Sequence, residues 1–154
     1  MQRKIQTQPI IRTVDAVLTD FERVLLIRRA KPPFMDKLVL PGGHVERSDK
    51  NLIEACRREV REEVGLDLAA GRFEFLCRLS TPGRDPRPGR RVSTVFKVEL
   101  DRSEFDMAKA GSDATQIVIV DRILHREEMG FDHFDALAKI DFYWEQMIRD
   151  DDFF

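Results

Sequence analysis

Apolar and polar positions divide the chain into strand-like and helix-like segments. From Thr13 to Arg29, two runs rich in β-formers, "TVDAVLT" and "RVLLIRR", flank "DFE" and predict a hairpin of two central strands. "LVLPGGHVE" carries a short strand into Pro41, Gly42 and Gly43. Proline lacks a backbone donor there and the glycines open unusual backbone angles, so a turn is expected. Between Asn51 and Val64 the apolar residues Leu52, Ile53, Cys56, Val60 and Val64 recur at helical spacing. Ser48, Asp49 and Asn51 are candidate caps and Gly65 is a stop. Strands are expected at Phe73 to Leu79, Val92 to Leu100 and Gln116 to Val120, separated by "STPGRDPRPGRR" and by a polar stretch from Asp101 to Thr115. A last helix is expected over Phe134 to Ile148, anchored by Phe142, Tyr143 and Trp144, with Arg149 to Asp152 as a solvated tail. This order of elements predicts a mixed sheet with helices packed on it.

The chain has 154 residues and 42% hydrophobic content, enough for one sizeable core, so residues 1–154 are read as a single domain. Its 26 basic and 28 acidic residues leave a net charge of -2. No global field therefore draws it to nucleic acid or to an anionic membrane, and attraction for anions must be local. Cys56 and Cys77 form no CxxC pair, which favours a reducing compartment. Arg12 and Asp15 interrupt what would be the apolar centre of a signal peptide. The run "IVIV" ends at Asp121, far short of a membrane span, so a soluble cytoplasmic protein is expected.

The segment "RREVREEVGL" changes this bland picture. On a helix at about 100° per residue, Ile53, Cys56, Val60 and Val64 form one stripe. Glu59, Glu62 and Glu63 fill the adjacent arc, and Arg57 and Arg61 lie on another side. Pairs such as Glu59 with Glu62 and with Glu63 each cost roughly 0.2–0.5 kcal/mol in an isolated helix. Arg58 can relieve only part of that repulsion. One reading is a solvated, salt-bridged helix. The apolar stripe beside the acids favours another, in which hard oxygen ligands converge on magnesium or manganese.

"GGHVERSDKNLIEACRREVREEVGL" resembles the signature of the Nudix hydrolases, G-x5-E-x7-R-E-U-x-E-E-x-G-U with U aliphatic. Arg58, Glu59, Val60, Glu62, Glu63, Gly65 and Leu66 match its second half. In the first half the family glutamate falls at Lys50 counting back from Arg58, or at Asp49 counting forward from Gly43. One extra loop residue reconciles the two, with Asp49 in the acidic role or, equally, as a helix cap. The resemblance implies an α/β (α+β) fold of the Nudix type, an α/β/α sandwich with a mixed β-sheet and the signature loop-helix-loop.

It also implies chemistry. Glu59, Glu62 and Glu63, with the carbonyl of Gly43, would bind magnesium (Mg2+) or, alternatively, manganese (Mn2+). Arg58 would orient a glutamate through paired hydrogen bonds. The general base falls to Glu62 or Glu59, with Asp113 as a loop alternative, and Gln116 stands where related sequences often carry an acid. "PGRDPRPGRRVSTVF" and "GFDHFDAL" resemble segments of ADP-ribose pyrophosphatases and related ADP-ribose-binding Nudix proteins, with Pro88 as an insertion. Arg84, Arg87 and Arg90, beside Arg91, then become candidate phosphate ligands, since arginine pairs with phosphate in a fork. Arg28 is a further candidate, although only one of Arg28 and Arg29 can face inward from a strand. His44 is a candidate substrate contact, and His133 is read as a helix-start residue bonded to Asp132 or Asp135.

The function implied is magnesium-dependent cleavage of a nucleoside diphosphate derivative, foremost ADP-ribose to AMP and ribose 5-phosphate. Alternatives are nucleoside triphosphates, dinucleoside polyphosphates or RNA 5′ ends, or an ADP-ribose-binding sensor that does not cleave. The expected partner is a small-molecule nucleotide. Neither a DNA-binding domain nor a membrane is expected, and a homodimer is kept as a candidate assembly.

Overall fold

The computed structural model describes residues 8–20, 22–111 and 116–140. Seven strands, β1 (Ile10–Thr19), β2 (Val24–Arg28), β3 (Leu38–Val39), β4 (Gly42–His44), β5 (Glu74–Leu79), β6 (Arg90–Glu99) and β7 (Gln116–Val120), make one sheet. Its main path runs β3-β2-β1-β6-β5, with β4 on β1 and β7 on β2. The sheet is mixed: β1 and β6 run parallel, from Ile10 opposite Arg90 to Thr19 opposite Glu99, and the other strand pairs are antiparallel.

Alternation along the central strands fills both faces. Val14, Ala16, Leu18, Leu25, Ile27, Phe96 and Val98 pack with Ala55, Cys56, Val60 and Val64 of helix α1 (Leu52–Val64). Val17, Val24, Leu26 and Val95 pack with Ala136 and Leu137 of helix α3 (His133–Ala138) on the other face. Successive strand residues point to opposite sides, so an apolar run with no polar alternation is what a sheet covered on both faces needs.

Helix α1 follows its expected bounds closely. Asn51 is the cap, its side chain accepting the Glu54 amide at 2.9 Å, and Gly65 closes the helix at φ +71° with its amide on the Arg61 carbonyl. The polar stretch after β6 differs from expectation: Arg102–Met107 is a short helix, α2, with a capping box between Asp101 and Glu104. Only Phe105 of that helix is buried, so no apolar period announced it. Helix α3 begins at His133, one residue early. It ends at Ala138, short of the expected Ile148, with Lys139 and Ile140 in a turn; the remainder of the expected helix, with Phe142, Tyr143 and Trp144, lies outside the described residues.

The glycine pair also departs from the expected turn. Gly42 and Gly43 lie within β4 and neither has positive φ; what they supply is close approach. A Cβ at Gly42 would sit 2.1 Å from the Val14 carbonyl oxygen, and one at Gly43 would sit 2.6 Å from the Glu59 carboxylate.

No helix among the described residues is long and apolar enough to cross a membrane. Replacing Asn51 by alanine should lower folding stability by about 1 kcal/mol, read as a reduced midpoint with unchanged slope in chemical denaturation.

Candidate active site

The sheet splits beside β1. Its contact with β2 is confined to Leu18 opposite Leu25 and Thr19 opposite Val24, and at Thr13 to Asp15 its neighbour is β4. A cavity of about 300 Å³ opens at this split. Thr13 and Asp15 of β1, Gly42 to His44 of β4, and Glu63 of α1 line one part; Arg29, Arg84, Asp85, Arg87, Phe131 and His133 line another.

Burial decides the state of the helix carboxylates. Glu63 accepts the Gly42 amide at 3.1 Å, yet removal from water outweighs that bond, with Glu59 and Asp15 adding repulsion, and its pKa is pushed up to about 8. Burial likewise raises Glu59, against the pull of Arg58, whose Nη1 donates to it at 2.9 Å. Glu62 is 57% exposed and meets the same Nη1 at 3.3 Å. The paired hydrogen bonds of Arg58 go to Asp49 and not to a glutamate, Nε to Oδ1 and Nη2 to Oδ2, both at 3.0 Å. Asp49 therefore clamps the arginine that touches Glu59 and Glu62, and it does not cap the helix.

A model of the NUDIX domain matches residues 9–145. The chain belongs to the NUDIX domain family. It is 36% identical over 120 residues to an ADP-ribose pyrophosphatase of Methanocaldococcus jannaschii, covering 78% of this chain and 66% of that protein. It is 26% identical to the ADPR responsive transcriptional repressor NtrR of Acinetobacter baylyi, over 82% of this chain and 51% of that one. Among solved structures, a bifunctional NMN adenylyltransferase/ADP ribose pyrophosphatase of Francisella tularensis, complexed with AMP and a manganese ion, superposes with a TM-score of 0.69. It shares 25% identity over 90% of this chain and 43% of that chain. The NUDIX chain thus spans less than two thirds to about two thirds of the length of the proteins it resembles.

Within this NUDIX domain the candidate arginines separate. Arg84, only 4% exposed, forks onto Asp132 at 2.7 to 3.0 Å and lines the cavity. Arg87 lines it too, held by Asp85 through Nε at 3.0 Å and Nη2 at 2.7 Å. Arg90 is exposed and lies outside the cavity lining, with Nη2 3.4 Å from the Ser80 carbonyl. Arg28 is also outside the lining and donates to the Asp36 carbonyl at 2.9 Å; its neighbour Arg29 enters the cavity. Parity explains the exchange, because Arg29 continues the face of Leu25 and Ile27 that meets α1, whereas Arg28 follows Leu26 on the other. Arg29 donates Nε to the Pro33 carbonyl at 2.6 Å, and its guanidinium lies 5.1 Å from the Phe131 ring centre.

Several lining residues escaped the sequence reading. Asp85 and Phe131 sit inside segments already singled out, but arginine and histidine drew the attention there. Asp15 left a trace as an acid inside an apolar strand. His133 bonds to neither Asp132 nor Asp135, which pair with Arg84 and Arg126; its Nδ1 accepts the Leu40 amide at 3.0 Å. His44 lies 3.4 Å from Arg91 Nε, and burial, then Arg91 and Arg87, lower its pKa below the usual histidine range. Asp113 lies outside the described residues.

The donor set suits a hard divalent cation. Glu59 and Glu63 are carboxylates withdrawn from water, Glu62 stands one turn from Glu59, and Gly43 has no side chain to hold Glu59 away. No group of three such ligands is preformed among the described residues, since Arg58 and the Gly42 amide hold the acids instead. Binding must therefore displace a proton and rearrange these contacts. With its folded pKa at about 8 against 4.5 when exposed, Glu63 keeps a proton that the unfolded chain has lost. The contribution of Glu63 to metal-free stability should be fully present below pH 4.5 and be lost as pH rises to about 8. Magnesium affinity should rise over the same interval, with release of about one proton per ion at pH 7. Calorimetry in buffers of different ionisation enthalpy measures this, and a buffer-independent binding heat would contradict it.

Proposed function

We propose that the cavity binds ADP-ribose, or a close nucleoside diphosphate derivative, and that the chain hydrolyses its pyrophosphate bond with magnesium or manganese. The observation that carries this reading is one cavity that brings Glu63 together with arginines suited to phosphate, with Glu59 and Glu62 on the same helix just outside its lining. Identity with the M. jannaschii pyrophosphatase supports the choice of substrate.

A diphosphate repels an incoming hydroxide. A bound divalent ion neutralises that charge and lowers the pKa of its water. Glu59, Glu62 and Glu63 would hold it, with the Gly43 carbonyl as a further oxygen. Arg58, fixed by Asp49, positions Glu59 and Glu62. Glu62 is the most water-accessible of the three and is the proposed base, with Glu59 the alternative. Water adds to one phosphorus, the bridging P–O bond breaks, and the products are AMP and ribose 5-phosphate.

Recognition falls to Arg29, Arg84 and Arg87. The last two already have carboxylate partners, in Asp132 and Asp85. Arg29 makes no ion pair among the described residues, which leaves its terminal nitrogens for the diphosphate.

With magnesium, a panel of ADP-ribose, GTP, dinucleoside polyphosphates and triphosphorylated RNA should show AMP release from ADP-ribose as the fastest turnover. Saturable ADP-ribose binding without products would instead make the chain a sensor. Glu62→Gln should fold normally and lose about a hundredfold or more in kcat, equivalent to a few kcal/mol of transition-state stabilisation; near wild-type turnover at saturating magnesium would remove Glu62 from the mechanism. Arg29→Ala should raise KM about tenfold with kcat largely kept, measured in the same assay.

A further inference from the structure

Asp15 belongs to none of the roles above, yet it is a carboxyl group only 6% exposed in the central strand of the fold. Burying such a group is costly unless it is bonded. One of its oxygens, Oδ2, accepts the Ser93 hydroxyl and lies 3.4 Å from His133 Nε2. Because His133 Nδ1 accepts the Leu40 amide, the proton of the neutral ring sits on Nε2, facing Asp15.

The other oxygen, Oδ1, accepts no hydrogen bond among the described residues. Every fully enclosed side-chain oxygen or nitrogen there has a partner, so Oδ1 must be open. Asp15 lines the cavity, and Gly42 keeps the way clear: a Cβ at that position would sit 2.2 Å from Oδ1. The result is a buried acceptor on the wall of the cavity that Arg29, Arg84 and Arg87 also line.

We infer that Asp15 Oδ1 is a specificity determinant that accepts a hydrogen bond from a neutral donor of the substrate, either a sugar hydroxyl or a nucleobase amino group. The inference rests on the reading of the cavity as a nucleoside diphosphate site. A phosphate is excluded as the group it meets, since like charges would face one another across a desolvated gap. Ser93 already directs a donor at Oδ2, and His133 Nε2 stands 3.4 Å from the same oxygen, which leaves Oδ1 as the acceptor without a protein donor among the described residues.

Asp15→Asn tests this with little change of shape. The Ser93 hydroxyl donates to the amide oxygen, so the amide nitrogen takes the place of Oδ1 and acceptor becomes donor. For ADP-ribose we expect KM to rise about 10- to 100-fold, with kcat much less affected. The wild type should show a comparable loss with one of two analogues, one carrying hypoxanthine in place of adenine and one lacking a hydroxyl on the terminal ribose. On that analogue the variant should lose nothing more, which identifies the donor. A purely structural role would instead depress all substrates alike.

Ser93→Ala leaves Oδ1 in place but loosens its support. It should give a smaller rise in KM that also disappears with the same analogue, and it serves if Asp15→Asn fails to fold. Unchanged KM in a folded Asp15→Asn, equal losses on every substrate, or loss of magnesium binding by calorimetry would each overturn the assignment. If the wild type prefers another diphosphate, the ADP-ribose reading fails separately, and the same comparison is made on that substrate with its deaminated and deoxygenated analogues.

Discussion

The site depends on the way β1 shares its edge. Parallel pairing with β6 over the whole length of β1 fixes one side of the strand. On the other side β2 is paired only at Leu18 and Thr19, and β4 takes over at Thr13 to Asp15. A continuous hairpin would have satisfied the same backbone groups and left a closed sheet. The split keeps those groups bonded while opening a crevice between strands that continue on either side of it. Gly42 and Gly43 make it workable, because side chains there would collide with the Val14 backbone and with the Glu59 carboxylate.

Charge around this crevice is arranged by burial more than by number. Glu63 and Glu59 are largely withdrawn from water, so a protein with a net charge of only -2 holds a local demand for a cation. The arginines opposite are mostly balanced by carboxylates of the protein, Arg84 by Asp132 and Arg87 by Asp85. The Arg84–Asp132 fork ties the Arg84 to Arg91 segment to the turn carrying Phe131 and His133, and the Arg87–Asp85 fork braces the segment internally. Both guanidinium groups are thereby held in place on the cavity wall.

The signature helix was legible because its evidence is local. Apolar spacing, the Asn51 cap and the Gly65 stop lie within fifteen consecutive residues, and packing only confirmed them. Strands β5, β6 and β7 were readable for the same reason. Helix α2 was not, since one buried Phe105 makes no period, although its capping box is plain once seen. Asp49 was ambiguous because helix capping and an arginine clamp demand the same residue type at nearly the same position; only the distance to Arg58 separates them.

By itself, then, the sequence determined the sheet-and-helix class, the family and the identity of the helix acids, because each follows from short-range periodicity or from a motif with set spacing. Tertiary structure decided which groups meet. The exchange of Arg28 for Arg29 turns on which face of β2 meets α1. The exclusion of Arg90, and the alignment of Ser93, Asp15 and His133 from residues far apart in the chain, depend on strand register and helix placement. A one-residue shift in either reverses the direction in which a side chain points, and nothing local in the sequence records that choice.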